Sequence, residues 1–295
     1  MVRARTIRPA IGTGHPFPDG IAPDTIDDMP ALLRRIAPVA LAVLLIVPAA
    51  VPVAASTVDT SVTSAEAAAL TYANHERTIR GLVPLRLDSR VAAIAHGRAE
   101  TMAGADQLSH DQADGNNVFD ILSANDVTWY GAGEIIAWNS TSNLTSSAKG
   151  AVSQWIHSAG HKAILLSANY NYVAFGVAVS PSGKRYWAGV YIKGPDRSGA
   201  WTALSAPVKQ ILSSTRTKVV FRWTGSDTPL QVLTSGLRYY QAERRVAGGV
   251  WKSYGVTTAT SLSTSWSRGY TYEFRVRAVD KVGNWGSWKT VTVKL

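Results

Sequence analysis

The sequence predicts an α+β domain, helices laid against a sheet, followed by a separate all-β sandwich. Three observations carry this. Apolar residues recur at helical spacing between residues 63 and 103. Two apolar runs around a Pro-Ser-Gly turn then close the segment near residue 193. Beyond residue 207 short alternating runs are broken by turn residues, with no helical period. The chain of 295 residues is 46% apolar, enough for two domains with cores of their own. It has no cysteine, which excludes disulfides, thiolate metal sites and cysteine nucleophiles together.

Each element has a local reason. Thr63 and Glu66 read as a capping box opening the first helix, and Gly81 as its stop. A second helix is expected over Ser89 to Ala103, capped by Asp88 and ended by Gly104. Its apolar stripe is Val91, Ile94, Ala95, Ala99 and Met102. Shorter helices are expected over 118–124 and 146–156, and a short apolar strand over 134–138. Residues 172–180 and 185–193 read as a hairpin. The stretch 195–207, rich in Gly, Ser and Pro, reads as a linker. Strands are then expected over 218–223, 236–246, 250–254, 270–279 and 289–294, the spacing of a sandwich. The expected domains are thus 1–55, 64–194 and 208–295, with the linker between the last two.

The first of these is not expected to be structure. Arg34 and Arg35, the apolar run Ala37 to Val47, and Val53-Ala54-Ala55 are the three parts of a signal peptide. Cleavage would leave Ser56 first, an exported protein outside the cell or on its wall, and no stable membrane span. Residues 1–28 are proline-rich and acidic for such a leader, so Met29 reads as the natural start.

Charge is uneven. Residues 56–206 hold 11 Lys and Arg against 12 Asp and Glu, whereas residues 207–295 hold 14 against 4. A basic surface attracts polyanions. For an exported protein that implies an anionic envelope polymer, met through residues 208–295, rather than nucleic acid. Six of the ten tryptophans lie in or beside this region. Trp223 reads as core, while Trp285 and Trp288, near a turn, could stack on sugar.

A set of short motifs spreads over about 130 positions of the first domain. They are Asn74-His75-Glu76-Arg77, Gly81-Leu82-Val83-Pro84-Leu85 with Asp88, Ser109-His110, Gly133-Glu134-Ile135-Ile136, Trp155-Ile156-His157-Ser158-Ala159-Gly160-His161, Phe175-Gly176-Val177 and Tyr186-Trp187. In this order and spacing the segment resembles the bacterial branch of the CAP superfamily, the secreted SCP-like and pathogenesis-related proteins. The resemblance implies an α-β-α sandwich and an open cleft lined by His110, Glu134 and His161. Ser158 stands where eukaryotic members carry a second acid. The second domain, with Tyr272-x-Phe274-x-Val276-x-Ala278 as one strand face, resembles fibronectin type III and related immunoglobulin-like sandwiches, with Tyr272 as a candidate tyrosine corner.

Two imidazoles and a carboxylate are a ligand set that zinc accepts, so His110, Glu134 and His161 are candidate ligands for a divalent metal. The same trio suits acid–base work on a polar substrate. His157 and His161 lie four apart, but Gly160 is expected to break the helix between them. Three functions are open: an envelope binding protein, a metal-dependent hydrolase of peptide or wall material, and a lipid binder. The chain lacks HExxH and GxSxG motifs, which favours binding over catalysis.

Overall fold

The computed structural model describes residues 60–295, so the leader and the extension before it lie outside the described residues. Residues 60–295 belong to one compact unit. Among the described residues no helix is long and apolar enough to cross a membrane.

The first domain has three layers. Helix α1 (Thr60–Thr78) leads into the short strand β1 (Arg86–Leu87), followed by α2 (Ser89–Ala105), α3 (Val118–Ala124), β2 (Gly131–Asn139), α4 (Leu144–His157), α5 (Ala159–Leu165), β3 (Tyr172–Val179) and β4 (Arg185–Lys193). The strands form one sheet in the order β1-β3-β4-β2, antiparallel except for β1 beside β3. One sheet face packs α1, α4 and α5 through Ala65, Ala69, Trp155, Phe175 and Trp187. The other packs α2 and α3 through Val91, Ile94, Ala95, Leu122 and Val190. The expected α-β-α sandwich is therefore present.

Local chemistry explains most boundaries. Asp88 caps α2, its carboxylate accepting from the Arg90 N–H at 3.1 Å. The α2 stripe is buried as its spacing requires. Two expectations at helix ends shift. Helix α1 starts at Thr60, not Thr63, and the Glu66 carboxylate instead meets His96 Nδ1 at 2.8 Å and the Val177 N–H at 3.2 Å. Helix α2 runs past Gly104 to Ala105, and Asp106, with φ of 48°, supplies the left-handed cap. The sheet approaches α2 so closely at Gly176 that a Cβ there would lie 2.1 Å from the Ala95 carbonyl oxygen.

The second domain is a two-sheet sandwich. One sheet contains β5 (Trp201–Leu204), β6 (Val208–Ile211), β7 (Arg216–Ser226) and β10 (Ser261–Ser267), with β10 on one side of β7 and β5 and β6 on the other. The other has β8 (Leu237–Val246), β9 (Lys252–Thr257), β11 (Thr271–Asp280) and β12 (Lys289–Lys294) in the order β12-β11-β8-β9. Phe221 stacks on Phe274 across the core at 3.9 Å, with Trp223 and Trp266 around them. Tyr272 contributes its ring, stacked on Trp266 at 4.5 Å. The expected linker is shorter than 195–207, because Trp201–Leu204 pairs with β7 as β5.

The two domains share contacts. Leu230, from the loop between β7 and β8, is buried in the α2 side of the first domain's core. Gln231 accepts from the Val83 N–H at 2.8 Å and from Arg77 at 3.2 Å. Arg77 is fully buried and also donates to the carbonyls of Val83, Leu165 and Ser167. Beside this contact Asp196, Asp227 and Asp280 bring carboxylate oxygens within 4.8 Å of one another. Each accepts backbone N–H groups: Ser198 and Ser235 serve Asp196, Thr228 and Gly236 serve Asp227, and Val282, Gly283 and Asn284 serve Asp280. Peptide donors thus solvate three buried charges at the domain joint.

The tryptophans near the last turn carry arginine side chains on their rings, although Trp285 stays exposed. On the outer face of the second sheet, aromatic rings and guanidinium groups alternate. Arg275 lies 4.0 Å from Trp251 and 4.2 Å from Trp288, and Arg277 lies 4.3 Å from Trp288 and 4.0 Å from Trp285. Cation–π attraction and mutual burial of flat surfaces explain why these side chains prefer each other to solvent.

Candidate functional site

Strand β2 alternates its side chains between the two helical layers. Ile135 and Ala137 join the α1–α4 side, whereas Ala132 and Ile136 join the α2 side. Glu134 shares the second parity and meets Arg98, which occupies a buried position on the α2 stripe. Arg98 Nε donates to Glu134 Oε1 at 2.8 Å, and both side chains are almost wholly buried. The other end of the guanidinium donates from Nη2 to the carbonyls of Ser109 at 2.7 Å and His110 at 3.0 Å. Arg98 thereby holds both the carboxylate and the loop that carries His110.

His110 completes the chain, its Nδ1 lying 2.8 Å from Glu134 Oε2. A carboxylate at Nδ1 places the ring proton there and leaves Nε2 with its lone pair. That Nε2 is buried and has no hydrogen-bond partner among the described residues. His161, in the first turn of α5, is 7% exposed, and its Nε2 is buried and unpartnered in the same way. Burial pushes the His161 imidazole below its ordinary pKa, and the nearby charge of His110 adds to the effect.

The structure brings these side chains together in a particular order. Both Glu134 oxygens face Arg98 and His110 Nδ1. His110, Glu134 and His161 do not bring three ligand atoms within 4.8 Å of one another, a spacing that Asp196, Asp227 and Asp280 alone meet among the described residues. His161 and Ser158 lie in the wall of a cleft of about 600 Å³ with Trp138, Asn139 and Gln154. Ser158 separates α4 from α5 in extended conformation, and Gly160 lies inside α5. The break between His157 and His161 therefore exists but sits two residues earlier than expected. His157 is exposed, with Nδ1 on the Ser153 carbonyl at 2.7 Å. Ser109 is no nucleophile poised on His110, since its Oγ accepts from the Asp111 N–H at 3.1 Å.

Arg98 is the functional residue that sequence reasoning missed. Its signal was present: Ile94, Arg98 and Met102 are spaced by four along one helix face, so an arginine falls on a buried register. A charge there requires a buried partner, but the partner's identity is not local information.

The first domain is similar to known proteins. The cysteine-rich secretory protein (CAP) family model matches residues 70–191. The chain is 30% identical over 131 residues to YlbC of Bacillus subtilis, described as an uncharacterised membrane protein, covering 44% of this chain and 35% of that one. It is 25% identical over 122 residues to the uncharacterised protein YkwD of the same organism, covering 41% and 46%. The match thus spans under half the length of either relative. An extracellular SCP-domain protein from Bacillus anthracis aligns with a TM-score of 0.38 and 25% identity, over 44% of this chain and 40% of that one. The cysteine-rich secretory protein (CAP) family model thus falls on the three-layer domain that holds Arg98, His110, Glu134 and His161, and this domain is CAP-like.

Proposed function

We propose that this CAP-domain protein is exported and acts at or outside the cell envelope, binding a ligand or a divalent metal at the His110–His161 pair. The basic sandwich would hold it to an anionic envelope polymer. One observation carries the first part: two imidazole nitrogens, both buried and both without a hydrogen-bond partner, with a carboxylate orienting one ring. A buried nitrogen left unpaired is costly unless something occupies it.

These residues fit a metal, zinc being best suited to nitrogen donors. His110 Nε2 and His161 Nε2 would hold the ion. Glu134 would serve as the carboxylate behind His110, and Arg98 would fix Glu134. Such an ion would supply Lewis acidity to a bound oxygen. Two protein nitrogens leave the remaining positions to solvent or ligand, so affinity is expected to be modest, on the order of micromolar. The depressed His161 pKa favours this role, because only the neutral ring coordinates. Binding is preferred to hydrolysis because the sequence lacks HExxH and GxSxG motifs.

Titration calorimetry with zinc on the chelator-treated protein tests this. His110→Ala and His161→Ala should each abolish binding, and Glu134→Gln should weaken it about 10-fold or more, as loss of an outer carboxylate does. Unchanged affinity in either histidine variant would remove the pair from the site. Export is checked by N-terminal sequencing of protein from culture medium, which should begin at Ser56. Recovery of uncleaved, membrane-bound chain alone would refute it.

A further inference from the structure

The sandwich carries its positive charge on one particular face. All four of its acidic residues are committed elsewhere. Asp227 and Asp280 are buried at the domain joint, while Glu243 and Glu273 pair with Arg275 and Arg245 on the outer face of the second sheet. There the guanidinium groups are also covered by tryptophan rings. The first sheet is different. Along β7 the odd positions Thr217, Val219, Phe221 and Trp223 are buried, so the even positions face outward. These include Arg216, Lys218 and Arg222, and no acid lies among them.

Strand β10 adds hydroxyls to the same face. Its register sets Ser267 beside Arg216, Ser265 beside Lys218, Ser263 beside Val220 and Ser261 beside Arg222. Arg216 is already oriented by them, donating from Nε to Ser265 Oγ at 3.2 Å and from Nη1 to Ser267 Oγ at 3.3 Å. Lys218 and Arg222 have no ion-pair partner among the described residues. At the far end Trp201 pairs with Ser226 on this face and is 46% exposed.

We propose that this face is the docking surface for a linear sugar- or polyol-phosphate polymer, laid along β7. The inference rests on the attachment role assigned to the sandwich and names its surface and its partner. Outward positions on a strand repeat at about 7 Å, so the three cations meet a row of charges along one line. Four hydroxyl donors beside three cations suit phosphodiesters, whose tetrahedral non-bridging oxygens can take one bond from a cation and another from a hydroxyl. Trp201, about 34 Å from Arg216 along the strand, offers a ring to the uncharged backbone between phosphates.

The test is binding of the chain from Ser56 to Leu295 to poly(glycerol phosphate) across a salt series. Lys218→Ser/Arg222→Ser should weaken binding at least tenfold. It should also lower the slope of log affinity against log salt by about 1.4, two contacts at the single-strand value. Lys252→Ser/Lys289→Ser, which removes equal charge from exposed sites on the second sheet, should cost less than threefold. Trp201→Ala should weaken binding severalfold with the slope unchanged. Arg222, Trp201, Lys252 and Lys289 are exposed and Lys218 is half-buried on the outer side of β7, and urea midpoints equal to wild type confirm the fold. Equal losses in the two double variants would overturn the assigned face while leaving a generally basic attachment domain. Equally tight binding of polyglutamate, single-stranded DNA or anionic vesicles, with the same sensitivity to Lys218→Ser/Arg222→Ser, would overturn the assigned partner. Failure of the wild type to bind any polyanion at low salt would sink the attachment role itself.

Discussion

Replacing Arg98 by Met should be among the most damaging single changes in the CAP domain. Arg98 is 1% exposed and Glu134 5%, so water cannot take over from either partner. The substitution leaves a buried carboxylate holding only His110, and frees the carbonyls of Ser109 and His110 that Nη2 now satisfies. Breaking a buried ion pair by removing one partner costs about 3–5 kcal/mol, most of it the uncompensated charge. Glu134→Gln keeps a hydrogen-bonding group in place and should cost less, about 1–3 kcal/mol. The double change Arg98→Met/Glu134→Gln should therefore be less unstable than the sum of the singles. Urea unfolding of all four proteins, followed by tryptophan fluorescence, measures each term of the cycle. An Arg98→Met loss below about 1 kcal/mol would refute the reasoning, since it would mean that the pair is solvated or that Glu134 finds another donor. Zinc titration of the same variants separates stability from site geometry. Binding should weaken in Arg98→Met, whose folded state lacks the group fixing Glu134.

Other expectations follow from packing and charge. Leu230→Ala should destabilise the CAP domain by about 2–5 kcal/mol although it lies outside residues 70–191, and denaturant midpoints read by a CAP-domain probe will show it. Gly176→Ala should cost more than about 3 kcal/mol or prevent folding, because its Cβ would meet the Ala95 carbonyl; expression yield and thermal midpoint report this. Hydrogen bonds from Ser182, then Lys184, hold the Asp106 carboxyl down to about 2. Its folded pKa lies below its unfolded one, so the stability it contributes is present above about pH 4 and is lost as pH falls toward 2. Urea midpoints of wild type and Asp106→Asn should therefore converge over that window.

Several structural features were legible in the sequence because they depend on neighbours in the chain. The α2 stripe follows from helical spacing, its N-cap from Asp88, and the β3–β4 hairpin from Pro181-Ser182-Gly183. His110, Glu134, His161 and Ser158 were picked out by motif order; the structure joins His110 to Glu134 and puts Ser158 and His161 in the wall of one cleft. Where local cues were faint, the reading fell short. Strand β10 (SLSTSWS) puts serine at every outward position, so alternation showed little apolar contrast, and only pairing with β7 defines it as a strand. Residues Trp201–Leu204 looked like linker for the same reason.

What the sequence determined by itself is thus the layer order, two cores, the uneven charge and a short roster of site residues. Tertiary structure decided who meets whom. It turned Glu134 from an expected metal ligand toward Arg98 and His110 Nδ1, left two imidazole nitrogens unpaired, and joined the domains through Leu230 and Gln231. It also set Arg275 and Arg277 against the rings of Trp285 and Trp288. The reason is physical. Helix and turn preferences act over a few residues, whereas the energy of a buried charge or an unpaired nitrogen is set by groups brought close from distant parts of the chain.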